Sequence, residues 1–266
     1  MRRIIYIYRI VCKLLTFAYF GIGISLEIVM LPFVKMFSKT QQDFQRRARK
    51  LANPIIRGGI GFTQIVGLVK INISKEDRKK LRTAKGVVVA ANHPAFFDSV
   101  LMLSLLPWSD IVAKGSLSKS NPLSPLINSL FMTNSFDFGK MMERTRTNLD
   151  DGGTILFFAE GTRSFPDGTL RPFKKGAARL SIGTGHPILP VYLGGNLKIG
   201  MRKGDKVLQV NPNERFIYDI RVMDEISPEE FARFPNAIAV RKCTDKLQKT
   251  IREEKERADE ANMKNL

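Results

Sequence analysis

A histidine and an aspartate five residues apart are the side chains of this sequence best suited to acid–base chemistry. His93 and Asp98 stand in the segment VVVAANHPAFFDSV, directly after an apolar run. Pro94 favours extended backbone at His93, and Asp98 opens the next helical pattern. A tight loop can return the carboxylate to one ring nitrogen, which fixes the tautomer and leaves the other nitrogen free to remove a proton.

No nucleophilic side chain accompanies this pair in the sequence. There is no G-x-S-x-G elbow, and Cys12 and Cys243 are far from the pair along the chain. The pair therefore suits a reaction in which the substrate's own hydroxyl loses its proton to His93 and attacks an activated carbonyl. The alternative is that Asp98 caps a helix and His93 is a polar loop residue.

A second polar turn, AEGTRS, follows another apolar run, Thr154–Phe158. Gly161 allows a ligand to approach the backbone closely, and Arg163 offers a planar fork for phosphate or carboxylate. Lys174, at a predicted helix start, supplies a candidate second contact for an anion. The alternative is a surface turn in which Glu160 and Arg163 pair with each other.

Together the two motifs resemble those of the glycerolipid acyltransferases, typified by 1-acylglycerol-3-phosphate acyltransferase. NHPAFFD and FFAEGTRS are similar to the first and third blocks of that family, and HPILPVYL to the fourth. PFKKGAARL is also similar to the family pattern, so the resemblance covers about residues 87–193.

The resemblance implies roles for the residues of both motifs. His93 would be the general base and Asp98 would orient it. The residues implied to hold the phosphate-bearing head of the acceptor are Glu160, Gly161, Thr162 and Arg163. The donor would be a fatty acyl thioester, acyl-CoA or acyl-ACP (on acyl carrier protein), with no tightly bound cofactor and no metal.

The second block departs from the family pattern. The family usually has a glycine, an apolar pair and an arginine there, whereas this chain reads Phe136-Asp137-Phe138 without an arginine. Losing a cationic fork at a phosphate site forfeits a charge-assisted hydrogen bond. Arg144 and Arg146 are the nearby candidates to replace it. The expected acceptor is a lysophosphatidate-like lipid, and the alternative is a non-glycerophosphate hydroxyl acceptor for the same chemistry.

Alternating apolar runs and helical patterns predict the scaffold that positions these motifs. Predicted strands are Ile65–Ile71, Val87–Ala91, Thr154–Phe158, Ile188–Leu193, Val207–Val210 and Phe216–Val222. Predicted helices are Asp98–Leu106, Pro122–Met132, Met141–Asp150, Lys174–Ile182 and Ala237–Ala261. Such alternation indicates the α/β class, with a mixed, largely parallel sheet flanked by helices.

The first fifty residues predict an N-terminal helical membrane anchor. Leu14–Val34 holds one charge, Glu27, and is long enough to cross a bilayer. Basic residues on both sides suit lipid phosphates, and Gln41–Ile60 reads as a second, amphipathic helix. The alternative is a buried helix of the globular domain. We expect an anchor over residues 1–60 and an acyltransferase domain over 61–266, at the cytoplasmic face of the inner membrane.

Composition limits the classes of partner. The 43 Lys and Arg against 25 Asp and Glu give a net charge of +18, which calls for an anionic partner. With two cysteines and two histidines, a disulfide scaffold and a multi-histidine metal site are excluded. The charge clusters beside an apolar run and no nucleic-acid-binding motif is present. We therefore expect membrane lipids and no nucleic acid as partners.

The function predicted from these features is a membrane-bound O-acyltransferase of phospholipid biosynthesis. Two rivals come from other classes: a basic nucleic-acid-binding protein, suggested by the net charge, and a catalytically inactive lipid-binding relative, suggested by the altered second block. The sequence does not indicate an oligomeric state.

Overall fold

The computed structural model describes residues 2–106, 108–114, 131–134 and 138–263. Its helices are α1 (Arg2–Met36), α2 (Gln41–Ile65), α3 (Lys75–Thr83), α4 (Asp98–Leu105), α5 (Phe138–Asp150), α6 (Gly176–Thr184) and α7 (Asn236–Met263). Its strands are β1 (Val69–Ile73), β2 (Val87–Ala91), β3 (Ser109–Lys114), β4 (Phe131–Asn134), β5 (Thr154–Phe158), β6 (Ile188–Gly194) and β7 (Phe216–Val222).

The seven described strands form one sheet in the order β1-β7-β6-β2-β5-β3-β4. All neighbouring pairs run parallel except β6 and β7, which are antiparallel. The predicted α/β class with a mixed, largely parallel sheet is therefore confirmed. The central strand β2 pairs with β5 on one side and β6 on the other, so the ends of these strands meet at the same edge.

Helices cover both faces of the sheet. Val87, Val89 and Ala91 pack on the side of α2, α3 and α4, while Val88 and Ala90 pack on the side of α5, α6 and α7. This alternation follows from the two-residue period of a strand. All five residues of β2 are buried, which explains why the strand reads as a continuous apolar run.

The N-terminal helices α1 and α2 lie against each other and against the domain. A β-carbon at Gly23 would clash with Ile55, and one at Gly59 would clash with Phe20. These glycines therefore let the two helices approach closely. Lys13 donates from Nζ to the carbonyls of Gly200 (2.7 Å) and Gln209 (3.0 Å). The first turns of α1 are therefore bonded to the segment between β6 and β7.

One face of α1 stays exposed along its whole length. Its apolar side chains include Ile4, Ile7, Val11, Leu15, Ile22, Leu26, Val29 and Phe33. Among the described residues, α1 alone is long and apolar enough, by length and composition, to cross a membrane. The predicted boundary at residue 60 falls inside α2, which continues to Ile65 and packs on α4.

Several predicted elements match the structure, and others need correction. The strands Val87–Ala91, Thr154–Phe158 and Phe216–Val222 have the predicted bounds. The predicted strand over residues 65–71 is wrong at its start, because α2 runs to Ile65 and Gly67 turns the chain with φ +67° before β1. The predicted helix Pro122–Met132 falls mostly outside the described residues, and its last two positions belong to β4.

The predicted strand Val207–Val210 is also wrong. Gly200 and Gly204 turn the chain with φ values of +98° and +93°. Lys13 donates hydrogen bonds to the carbonyls of Gly200 and Gln209. Residues 207–210 form a turn and an open loop instead of a strand. Ser227 begins a short 3₁₀ helix over Pro228–Phe231, which is closed by a capping box with Glu230.

Candidate functional site

Two loops meet at the carboxyl edge of the sheet because β2 and β5 run parallel with Ala91 opposite Phe158. The amide of Ala159 donates to the carbonyl of Ala91 (2.8 Å), and the amide of Ser164 donates to the carbonyl of His93 (2.7 Å). The parallel register thus joins two motifs that are about 70 residues apart in the chain. Polar residues at such an edge are where α/β folds bind ligands.

His93 and Asp98 form a hydrogen-bonded pair in the first loop. His93 Nδ1 lies 2.8 Å from Asp98 Oδ2, and the same oxygen accepts from the amide of Ala95 at 2.8 Å. Because a carboxylate oxygen accepts, Nδ1 carries the proton, and in the neutral imidazole Nε2 then offers its lone pair. Nε2 has no hydrogen-bond partner among the described residues, and the His93 side chain is 17% exposed.

A ring stack holds the imidazole plane. The ring centroids of His93 and Phe158 are 4.1 Å apart with an interplanar angle of 18°. Phe158 ends β5 and His93 follows β2, so the stack forms directly above the pairing of the two strands. Together with the Asp98 hydrogen bond, this contact fixes the position and the rotation of the ring.

Tyr218 and Lys198 lie beneath the pair, and no motif in the sequence indicates either residue. The Tyr218 hydroxyl donates to Asp98 Oδ1 at 3.0 Å, and Lys198 Nζ lies 4.6 Å from the Tyr218 ring centroid. Tyr218 is fully buried, and burial together with the Asp98 charge raises the pKa of its hydroxyl well above the usual value. An inward tyrosine on the alternating strand FIYDIRV was the available signal.

Lys198 is a buried cation, and no carboxylate of the described residues lies within ion-pair distance of it. Its Nζ donates to the carbonyls of Gly194 (2.7 Å) and Asn196 (3.0 Å). Burial lowers the pKa of Lys198 to about 8, although Asp98 and Asp219 oppose the shift. The residue adopts φ +50°, a left-handed conformation that non-glycine residues rarely adopt.

Glu160 connects three segments below the second loop. Its Oε1 accepts from the amide of His93 (2.9 Å) and the hydroxyl of Ser164 (2.6 Å), and its Oε2 accepts from the amide of Arg171 (2.8 Å). The side chain is buried. Both carboxylate oxygens are thus occupied within the protein, and in the described structure Glu160 is not paired with Arg163.

The other residues of the second motif remain accessible. Gly161 is exposed and has φ +67°, while Thr162 and Arg163 are half-buried. Arg163 uses one guanidinium nitrogen for the carbonyls of Met201 (3.3 Å) and Arg202 (3.0 Å). Lys174 is exposed, and its amide donates to Ala159 O at 2.7 Å. These four residues therefore surround the turn next to His93.

Arg144 and Arg146 lie at the opposite edge of the sheet. Arg146 donates to the carbonyl of Gly183 (2.7 Å) near the end of α6, and Arg144 lines a cavity with Trp108 at the start of β3. Neither replaces the missing arginine of the second block beside His93. Positions 136 and 137 lie outside the described residues. Among the described residues no cluster of His, Cys, Asp and Glu could hold a metal ion.

Comparison with known proteins connects this geometry to one group of proteins. The family model described as Acyltransferase matches residues 72–194. A chloroplastic 1-acyl-sn-glycerol-3-phosphate acyltransferase, BAT2 of Brassica napus, is 30% identical over 67% of this chain and 52% of its own length. The human 1-acyl-sn-glycerol-3-phosphate acyltransferase beta is 30% identical over 43% of this chain and 44% of its own length.

The chain spans about half the length of the curated relatives it matches. A solved structure, the 1-acyl-sn-glycerophosphate acyltransferase PlsC of Thermotoga maritima, covers 96% of this chain with a TM-score of 0.66. This chain covers 98% of that structure at 22% identity, so the likeness extends the shared fold to the N-terminal helices.

Proposed function

We propose that this chain, whose residues 72–194 match the family model described as Acyltransferase, transfers a fatty acyl group from an acyl thioester to the free hydroxyl of a lysophosphatidate-like lipid. The observation that carries this proposal is the His93–Asp98 pair, with Nδ1 2.8 Å from the carboxylate and Nε2 left for substrate. That arrangement suits a base for a substrate hydroxyl, and no described serine, threonine or cysteine is hydrogen-bonded to Nε2.

The proposed reaction uses His93 twice. Nε2 removes the proton of the acceptor hydroxyl as its oxygen attacks the thioester carbonyl, forming the C–O bond. Asp98, hydrogen-bonded to Nδ1, stabilises the resulting imidazolium. The tetrahedral intermediate then expels the thiolate with cleavage of the C–S bond, and His93 returns the proton to the sulfur. The products are the acylated lipid and free coenzyme A or acyl carrier protein.

The second loop binds the acceptor head in this proposal. Arg163 keeps guanidinium donors beyond those used for Met201 and Arg202, and the exposed Lys174 adds a second positive charge. Thr162 offers a hydroxyl, and Gly161 lets a phosphate reach the backbone. Glu160 does not touch the substrate here; it positions His93 and Ser164 through its hydrogen bonds.

The exposed apolar face of α1 supports a membrane-bound state. Since α1 and α2 pack antiparallel and α2 rests on the domain, we propose that α1 lies in one leaflet with this face in the lipid. The exposed basic residues near the two ends of α1, Arg2, Arg3, Lys35 and Lys39, then meet lipid phosphates. We place the protein at the cytoplasmic face of the inner membrane, where acyl thioesters are available.

A second candidate function is acylation of a hydroxyl lipid without a glycerophosphate head. The missing arginine of the second block favours it, together with the location of Arg144 and Arg146 at the other edge of the sheet.

The experiment is acyl transfer by membranes that contain the protein, with a mixed pool of acyl thioesters and a panel of hydroxyl lipids that includes lysophosphatidate. His93→Ala is the blank. We expect product that depends on His93, since positioned general base catalysis contributes about 10²–10⁴ in rate. Substantial transfer by His93→Ala would contradict the assigned base. Product from another lipid but not from lysophosphatidate would establish the second candidate.

A further inference from the structure

A cavity of about 260 Å³ lies between α2 and α5, beside the start of β3. The side chains that matter for its chemistry are Gln45, Arg46, Arg49, Trp108 and Arg144. The three residues on α2 recur at helical spacing and so share one face of that helix. Three guanidinium groups, an indole and an amide thus border one small space.

This cavity is separate from the site around His93. Ser109 pairs with Thr154, and Val87 pairs with Thr154 from the other side, so these residues mark the amino edge of the sheet. His93 follows the carboxyl end of β2. The five residues of β2 put the two edges about 16 Å apart at about 3.3 Å per residue.

Six buried hydrogen-bond donors around the cavity have no acceptor among the described residues, against one unpartnered acceptor, Asn148 Oδ1. No described residue accepts from Gln45 Nε2, Arg46 Nε, Arg49 Nε, Trp108 Nε1, Arg144 Nε or one terminal nitrogen of Arg144, and all these atoms are buried. The whole side chains of Gln45 and Arg49 are 5% and 7% exposed. Leaving a buried donor unpaired is costly, and a set composed almost entirely of donors calls for a ligand made of acceptors.

The charge around the cavity is positive overall, although two of the three guanidinium groups have carboxylate partners: Arg46 bonds Asp151 (2.8 Å) and Arg49 bonds Asp110. Two carboxylates line it, Asp110 and Glu143, but Asp110 already accepts from Arg49 and from Asn148, and Glu143 is exposed. Burial and the charges of Arg144 and Arg46 lower the pKa of Arg49 to about 9. When neighbouring cations lower one another's pKa in this way, a bound anion stabilises their charged forms.

We propose that this cavity is a phosphate-binding site distinct from the site of acyl transfer. Arginine forks match the geometry of phosphate oxygens, and the indole and amide add neutral donors. The phosphate belongs either to a soluble phosphate compound or to a lipid head group, since α2 follows the membrane-facing α1. Its binding would join α2 to α5 and thereby fasten the N-terminal helices to the domain.

Trp108 makes the proposal measurable because it is the chain's single tryptophan. The full-length protein in non-ionic detergent is titrated with inorganic phosphate at constant ionic strength, and tryptophan fluorescence is recorded. We expect a saturable change. Arg144→Gln should weaken the apparent affinity about tenfold or more, the cost of a lost charge-assisted hydrogen bond.

Two matched variants separate this site from other anion contacts. Arg146→Gln removes a neighbouring arginine of α5 that bonds Gly183 outside the cavity, and Arg163→Gln removes the cation at the other edge. Both should retain the fluorescence response. Gln45→Glu supplies a carboxylate of the same shape, so it should raise the melting temperature without phosphate and abolish the stabilisation by phosphate.

A parallel titration with phosphatidate in micelles identifies the source of the phosphate. Half-saturation at a lower concentration than for inorganic phosphate supports a lipid head group, and the reverse order supports a soluble phosphate. A protein that responds to neither compound, or an Arg144→Gln variant that responds like the wild type, would overturn the proposal. An identical response to chloride at the same ionic strength would overturn it as well.

Discussion

The Tyr218 hydroxyl donates a hydrogen bond of 3.0 Å to Asp98 Oδ1, the carboxylate oxygen that His93 does not use. Strand β7 therefore supports the loop after β2 from the interior of the domain. Asp98 has three donors, from His93, Ala95 and Tyr218, and its carboxylate is fully buried. A carboxylate satisfied on both oxygens has one orientation, and that orientation sets the imidazole.

Tyr218→Phe tests whether this support serves the reaction. The variant keeps the ring in place but leaves Asp98 Oδ1 without its donor, which costs about 1–3 kcal/mol for a buried acceptor. We expect kcat to fall about tenfold while KM for both substrates stays near the wild-type value, because Tyr218 acts through Asp98. Steady-state kinetics supplies both constants. Unchanged kcat in a destabilised protein would show that the hydrogen bond is only structural.

Arg163→Gln tests the proposed head-group contact, with Arg146→Gln as the matched control at the other edge of the sheet. We expect KM for the lipid acceptor to rise about tenfold or more, since one charge-assisted bond to phosphate is lost. The KM for the acyl thioester should stay unchanged. Because Arg163 also bonds the carbonyls of Met201 and Arg202, the melting temperature of the variant should be measured alongside the kinetics to detect any loss of stability. Equal effects on both KM values would contradict the assignment.

Glu160→Gln tests the positioning role of that carboxylate. The two oxygens accept from His93, Ser164 and Arg171, whereas an amide has one oxygen and must place its NH₂ against a donor. We expect a loss of about 1–3 kcal/mol in the free energy of unfolding, measured by denaturant titration. A variant as stable as the wild type but with a raised acceptor KM would instead indicate direct binding by Glu160.

Lys198→Met tests the buried cation through the pH dependence of stability. The pKa of Lys198 is lowered by burial from its ordinary 10.5 to about 8. Between these pH values the unfolded state binds a proton that the folded state lacks, so the Lys198 contribution to stability rises with pH. The slope is at most about 1.4 kcal/mol per pH unit.

Denaturant unfolding at several pH values from 7 to 10.5 measures this contribution as the difference between wild type and Lys198→Met. The free energy of unfolding of the wild type should increase relative to that of the variant as the pH rises. Parallel curves would show that Lys198 keeps its proton in the folded protein. A constant offset between the curves is expected in any case, because the variant lacks the hydrogen bonds to Gly194 and Asn196.

The sequence by itself determined the scaffold and the local chemistry. Val87–Ala91 and Thr154–Phe158 are strands with the predicted bounds, since each is a short apolar run ended by a polar turn. The proximity of His93 and Asp98 is also local, as five residues of loop suffice to join them. α3 was not predicted because Lys75–Thr83 buries one side chain, Leu81, and so shows little apolar periodicity.

Only the tertiary structure decided which distant residues meet. The partner of Asp98 on β7, Tyr218, lies 120 positions away, and the cavity between α2 and α5 brings Arg49 to Arg144. Such contacts depend on strand order and helix packing, and a single sequence carries no record of either beyond the inward or outward direction of each side chain. Local periodicity reports burial, but the identity of a buried polar partner is set by the fold as a whole.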